Sequence, residues 1–252
     1  MATSRDHLDA AGLAEEAGHL LVELRAGIGT DYTPGEGKDL GDRRSHEFLV
    51  GRLAELHPGD GILSEEGVDD DARLAQQRVW IIDPLDGTRE FGEVPRVDWA
   101  VHVALVIDGE PVAGAIGLPA QDHAVLSTAS PPPTPPAPGE HPRIVVSRSR
   151  PPAWADGLAA ALGGVLVPLG SAGAKIAAVI RGEADIYVHA GGQYEWDSAA
   201  PVAVALAAGL HASRIDGSPL RYNRANPWMP DLMVCHPTVV EQVLSGLPDD
   251  LS

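Results

Sequence analysis

One cysteine, few cations and no long apolar run set the first limits on this 252-residue chain. The lone Cys235 excludes a disulfide within the chain, and no His or Cys stands near it at zinc-ligand spacing, so a reducing cytoplasm is the simplest compartment. The opening MATSRDHLDAAGLAEEAGHLL has no basic start, no continuous apolar stretch and no small-residue cleavage site. Nowhere do about 18 apolar residues run together, so neither a recognisable export signal nor a membrane span is expected. Lys and Arg number 18 against 36 Asp and Glu, a formal charge of −18. That balance repels phosphate backbones and anionic lipid, which argues against polymeric nucleic acid and membranes as partners. An acidic chain that handles a small phosphorylated molecule needs bound cations to reverse the local field.

What is present is the composition of a packed globular protein, 44% hydrophobic and 21% charged, long enough for one large α/β domain or two small ones. Leu13, Ala17, Leu20, Leu21 and Leu24 fall on one helical stripe, as do Phe48, Leu49, Leu53 and Leu56 after Ser45. Between Gly29 and Arg44 the pattern dissolves into Gly, Asp, Pro and Lys and reads as a polar loop. A buried strand over 79–82 stops at Asp83-Pro84, and 101–107 alternates up to Asp108-Gly109, a hairpin signal followed by a returning apolar segment. Residues 130–142, SPPPTPPAPGEHP within its flanks, are too rich in proline for a helix or central strand and form the expected boundary between halves 1–129 and 143–252. Beyond it strands at 143–147, 165–169 and 185–189 alternate with helices at 154–162, 172–181 and 198–208, the pattern of an α/β layer arrangement.

The chemistry concentrates in WIIDPLDGTREF. Asp83 and Asp86 stand three apart across Pro84, directly after the apolar strand, and the stiff proline turn lets the Leu85 carbonyl point outward beside them. Oxygen ligands of this kind suit a hard cation such as Mg²⁺. Glu65-Glu66 and Asp197 are two further acidic sites at strand or helix ends; alone, the first reads as a solvated loop and the second as a helix cap. Gly87 and Thr88 offer donors to a phosphate, and Ser171 to Gly173 open a helix whose amino end favours anions, with Lys175 one turn in. Arg89 places a cation beside the turn for a second phosphate. Arg221 and Tyr222 offer a guanidinium and an aromatic face suited to a nucleotide or, equally, a polar hairpin edge. His189 ends a strand with its role open, while His7, His57 and His141 read as surface histidines.

The D-P-L-D-G-T segment from Asp83 to Thr88, S-E-E at 64–66, G-S-A-G-A-K at 170–175 and E-W-D-S-A-A at 195–200 together resemble the inositol monophosphatase superfamily of metal-dependent phosphatases, over nearly the whole chain. Within it, the basic residue, Glu and Phe after D-G-T, and the E-W-D, look most like the CysQ-type 3′-phosphoadenosine-5′-phosphate phosphatases. The resemblance implies an α/β fold, α+β in its first half, built as a layered α-β-α-β-α sandwich with the site between the halves. It implies two or three Mg²⁺ ions held by Glu65, Asp83, the Leu85 carbonyl, Asp86 and Asp197, and a catalytic set of Asp42, Thr88 and Glu65. Asp42 is placed by its spacing to Glu65, in a Gly-Asp-Arg-Arg context that departs from the family's Thr-x-Ala-Asp. Substrate contacts carried over are Asp86, Gly87, Thr88, Arg89, Ser171, Lys175, His189, Asp197, Arg221 and Tyr222.

The activity so implied is hydrolysis of 3′-phosphoadenosine 5′-phosphate to AMP and phosphate by a metal-activated water, in a cytoplasmic, lithium-sensitive enzyme of sulfate assimilation; homodimers are common in the family, and the sequence leaves the oligomeric state open. Inositol 1-phosphate or fructose 1,6-bisphosphate are the alternative substrates. A silent metal- or phosphate-binding regulator is the reading from another class.

Overall fold

A computed structural model describes residues 1–248 of the chain. Two helices open it, α1 (Ser4–Arg25) and α2 (Pro34–Leu56). A first sheet follows, in spatial order β1 (Gly61–Ser64), β2 (Arg78–Asp86), β3 (Ala100–Ile107), β4 (Glu110–Leu118) and β5 (Ala124–Ser127), parallel between β1 and β2 and antiparallel beyond. The short helix α3 (Thr88–Gly92) leaves the end of β2. Asp108 and Gly109 both take positive φ, 53° and 80°, as the tight β3–β4 hairpin requires.

The second half supplies β6 (Arg143–Ser147), α4 (Ala155–Leu162), β7 (Val165–Leu169), α5 (Ala172–Ile180), β8 (Ile186–Tyr194), α6 (Glu195–Ala207), β9 (His211–Ser213), β10 (Trp228–Cys235) and α7 (Val240–Gly246). Its sheet runs β7-β6-β8-β10-β9, with β6 parallel to both neighbours and β10 antiparallel to both of its own. No helix or strand lies in residues 130–142. Among the described residues no helix is long and apolar enough to cross a membrane.

Strand alternation sets the layers. Trp80 and Ile82 face Leu13, Leu21, Leu49 and Leu53 of α1 and α2, while Val79 and Ile81 face a central cluster with Ile176 and Val179 of α5 and Val202 of α6. That cluster also takes Tyr187, Leu232 and Val234 from one face of the second sheet; Ile144, Val188 and Met233 on the other face pack against Leu158 of α4 and Val243 of α7. The order is α-β-α-β-α, and the central helices α5 and α6 belong to both halves' cores.

Three local readings are corrected. The segment from 34 to 44 is the first half of α2 rather than a loop: Thr33 caps it, its side chain and that of Glu36 exchanging bonds in a capping box, with Pro34 in the first turn. Its inner face is made of glycine, so no apolar stripe marks it; a Cβ on Gly37 would lie 2.6 Å from Ile28, and one on Gly41 3.0 Å from Phe91. Helix α6 starts at Glu195 rather than Ser198, which makes Asp197 a first-turn residue. His57 is a packed residue, its side chain only 9% exposed, its ring tilted against that of Trp80 with centroids 4.6 Å apart and Nε2 3.2 Å from Asp9.

Candidate active site

The end of β2 is bent by a bulge: Asp83 pairs with His102 and Asp86 with Ala100, so Pro84 and Leu85 stand opposite the single Val101. Ser45, fully buried on α2, donates to the Pro84 carbonyl at 2.7 Å, and the Leu85 N–H donates to Asp83 Oδ1 at 3.0 Å. These bonds hold the turn from behind. Gly87 follows with φ +84°, and a Cβ there would sit 2.8 Å from Ser171, so a side chain is excluded by both strain and space.

Glu65 arrives by register. Ser64 pairs with Ile82 in the parallel β1–β2 ladder, so the next residue lies alongside Asp83, and their carboxyls are within hydrogen-bonding reach. Asp197 comes from α6, where one oxygen accepts the Tyr194 N–H at 2.6 Å. Asp83, Asp86 and Asp197 each offer an oxygen within 4.8 Å of the others. Three elements from both halves, β1, β2 and α6, therefore bring four carboxylates to one place.

Their electrostatics differ. Burial, then the charges of Asp197, Asp86 and Glu66, push Glu65 up to about 7. Burial and then Asp86 raise Asp197 to about 6, and Asp83 rises well above the carboxylate range through burial followed by Glu65, Asp86 and Asp197. Asp86 goes the other way: burial opposes its charge, but His102 and backbone donors outweigh it. Its Oδ2 lies 3.2 Å from His102 Nε2 and accepts the Gly173 N–H at 2.6 Å, and its Oδ1 accepts the Ala172 N–H at 3.2 Å. A Cβ on Gly173 would fall 2.1 Å from His102 Nε2, so only glycine permits that contact.

The amino end of α5 is thus already filled. Asp86 takes two of its N–H groups and the Ser171 hydroxyl takes that of Ala174 at 2.9 Å, so the anion expected there is a side chain of the protein itself. Lys175 neither faces solvent nor reaches outward. It is buried, its Nζ donating to the carbonyls of Gly170 and Ser171, and burial lowers its pKa.

Thr88 and Asp42 meet. The Thr88 hydroxyl stands 3.2 Å from Asp42 Oδ1 and 3.1 Å from the Leu85 carbonyl. Burial, followed by the charge of Glu66, raises Asp42 to about 7.

A cavity of about 570 Å³ opens over this cluster. Of the residues expected from sequence, Glu65, Asp86, Gly87, Thr88, Arg89, Ser171, Lys175, His189 and Asp197 line it. Arg89 is largely exposed and pairs with Glu93 at 3.1 Å; His189 holds the Gly192 carbonyl at 3.0 Å and is lowered by burial. Asp42, Asp83 and Leu85 lie outside its wall. Arg221 and Tyr222 are misplaced by the sequence reading: Arg221 pairs with Glu110 at 2.6 Å across the β3–β4 hairpin, and Tyr222 is buried with its hydroxyl 3.2 Å from Ser198. Sequence reasoning also missed His102, and cavity-lining Ser147, Ser149, Arg150, Tyr194 and Trp196. The only signal for Ser149 and Arg150 was the polar run that follows β6, whose last residue is Ser147.

A strut spans the two halves beside the site. Arg73, almost wholly buried, forks onto Asp69 at 2.6 and 2.7 Å and donates to the Asn223 side chain at 2.7 Å and the Arg224 carbonyl at 3.0 Å. The fully buried Glu195, two residues before Asp197, accepts the Asn223 and Arg224 N–H groups at 2.6 and 2.9 Å. Arg73→Met should cost about 2 kcal/mol, because the buried Arg73 gives up its charge-assisted bonds to Asp69, Asn223 and the Arg224 carbonyl, acceptors that solvent partly reaches. Urea unfolding measures it, and a loss below about 1 kcal/mol would show the fork to be ornamental to stability.

Acidic side chains from both halves, gathered around a proline turn under a cavity with cations on its rim, form a cluster that could bind metal, as the site of a metal-dependent phosphatase requires. Residues 10–244 match the inositol monophosphatase family, and the chain belongs to it. It is 50% identical over 244 residues to the 3′-phosphoadenosine 5′-phosphate phosphatase of Mycobacterium tuberculosis, covering 93% of this chain and 90% of that protein. It is 31% identical to the 3′(2′),5′-bisphosphate nucleotidase CysQ of Escherichia coli, over 83% of this chain and 91% of the relative. Among solved structures, CysQ from Bacteroides thetaiotaomicron superposes with a TM-score of 0.78 at 27% identity, over 92% of this chain and 96% of that one.

Proposed function

We propose that this protein is a Mg²⁺-dependent phosphomonoesterase that hydrolyses 3′-phosphoadenosine 5′-phosphate to AMP and phosphate. The observation that carries this is the convergence of Asp83, Asp86 and Asp197 within 4.8 Å, with Glu65 against Asp83. The donor set is all oxygen, and the mutual repulsion of Glu65, Asp83, Asp86 and Asp197 around the buried Asp83 is what a bound cation would relieve. Glu65, Asp83, the Leu85 carbonyl, Asp86 and Asp197 would hold two or three such ions. When bound, they supply neutralisation of the phosphate and a lowered pKa for the attacking water.

The chain's own residues supply the rest. Asp42, pushed up to about 7, sits near neutrality where a general base works best, and through the Thr88 hydroxyl it can take the proton of an incoming water. The bond formed is from water oxygen to phosphorus; the bond broken joins phosphorus to the 3′ oxygen. Arg89 and Arg150 on the cavity wall offer guanidiniums to the second phosphate, which a monophosphate sugar lacks. The 50% identity to phosphatases of this name supports the choice of substrate.

Release of phosphate from 3′-phosphoadenosine 5′-phosphate, inositol 1-phosphate and fructose 1,6-bisphosphate, compared under one Mg²⁺ condition, tests it. The adenosine bisphosphate should have the highest kcat/KM by about tenfold or more, the worth of one well-placed polar contact. Preference for either sugar phosphate overturns the substrate, and no turnover of any of the three overturns the enzyme.

A further inference from the structure

Tyr194 ends β8 and Trp196 is the second residue of α6, and their rings lie stacked, centroids 4.7 Å apart and planes 8° from parallel. Both line the cavity, yet 45% of Tyr194 is exposed. A stack formed only for packing would be covered. An open aromatic face on a cavity wall gains when another flat ring lies on it.

The backbone beneath is shaped to present this face. Between Ala190 and Gln193 the strand carries Gly191 and Gly192 opposite the single Pro230 of β10, a bulge that turns the strand end. Both glycines have positive φ, +117° and +88°, and a Cβ on Gly192 would lie 2.5 Å from Trp228 Nε1. The Trp228 ring therefore rests against the strand at Gly192, and Trp228 pairs directly with Tyr194 in the ladder. At the other side the Tyr194 N–H is bonded to Asp197, so the rings stand at a fixed reach from the acidic cluster.

We infer that the Tyr194–Trp196 stack is a nucleobase ledge, on which the purine of a phosphorylated ligand lies while its phosphate meets the acidic cluster. The inference rests on the phosphomonoesterase reading of that cluster and gives the site its means of preferring a nucleotide to a sugar phosphate. Stacking on an aromatic face tolerates any base but demands one, whereas an inositol or fructose ring has no π-face to offer.

Two measurements on wild type, Tyr194→Ala and Tyr194→Phe test it, both with Mg²⁺ present. In kinetics, the ratio of kcat/KM for 3′-phosphoadenosine 5′-phosphate to that for inositol 1-phosphate should fall roughly tenfold in Tyr194→Ala and recover in Tyr194→Phe, which keeps the ring. In calorimetric titration, AMP should bind wild type roughly tenfold more tightly than ribose 5-phosphate, the same sugar phosphate without a base, and Tyr194→Ala should erase that difference. Equal loss on both substrates, or equal binding of AMP and ribose 5-phosphate by wild type, overturns the ledge. The two readings separate cleanly: turnover whose substrate ratio ignores Tyr194 sinks the ledge alone, while Tyr194-dependent AMP binding without any turnover sinks the phosphomonoesterase alone.

Discussion

Asp83→Asn is expected to lower kcat/KM for phosphate release by about a thousandfold while leaving the fold intact. A cation stabilises charge in the transition state by several kcal/mol, at about 1.4 kcal/mol per decade of rate, and loss of one charged ligand forfeits most of that. The amide keeps an oxygen for the Leu85 N–H, so the turn survives. Asp83 is buried beside Glu65, Asp86 and Asp197, all of which resist its ionisation. Removing its charge should therefore leave the metal-free protein as stable as wild type or more so, the opposite of what the substitution does to catalysis. Assay of released phosphate together with thermal melts in EDTA decides the matter. A variant that keeps more than about a tenth of the activity would show that Asp83 is no ligand.

Mg²⁺ should stabilise the protein, and more so at pH 8 than at pH 5. Glu65 is raised to about 7 and Asp197 to about 6. For an acid raised in the folded state, the stabilising effect is complete below its unfolded pKa near 4 and is lost as pH climbs through the folded value. The metal-free protein therefore carries an increasing burden of repulsion between about pH 5 and pH 8. Asp86, held charged by His102 and the α5 amino end, adds to the field across that whole range. Saturation at about a hundred times Kd is worth about 2.7 kcal/mol per site, which for a chain of this size raises Tm by about 5–10 °C. The gain should shrink toward pH 5, where protons compete for the same oxygens. Melts with Mg²⁺ and with EDTA across this range give the comparison; a shift absent at pH 8, or constant with pH, would contradict cation binding by these carboxylates.

The acidic cluster was legible because each of its members stands at the end of a recognisable element. An apolar strand stopping at Asp83-Pro84, or S-E-E after a short apolar start, is a local pattern, and the turn between Asp83 and Asp86 follows from proline's fixed φ. Residues whose work is done by contact were not legible. His102 sits in the middle of an unbroken strand, and nothing beside it in the chain reveals that Asp86 lies 3.2 Å away. The first half of α2 was hidden because glycines, not apolar side chains, form its packed face against Ile28, Leu85 and Phe91.

Charge misled in both directions. The amino end of α5 has the look of an anion site, and it is one, but its anion is Asp86. Arg221 and Tyr222 have the chemistry a nucleotide needs, yet one is spent on Glu110 and the other is enclosed in the core. The aromatic surface at the cavity is Tyr194 and Trp196, inside the same E-W-D neighbourhood that supplied Asp197.

By itself the sequence determined most of the elements, the proline turn and the acidic residues that could offer oxygen to a cation, because those depend on spacing along the chain and on what each residue type can bond. Only the tertiary structure decided which side chains share a field: the β1–β2 register sets Glu65 beside Asp83, and α6 carries Asp197 across from the other half. Burial and mutual charge act through space, so the raised Glu65 and Asp197, the charged Asp86 and the open face of Tyr194 exist only once the layers have closed.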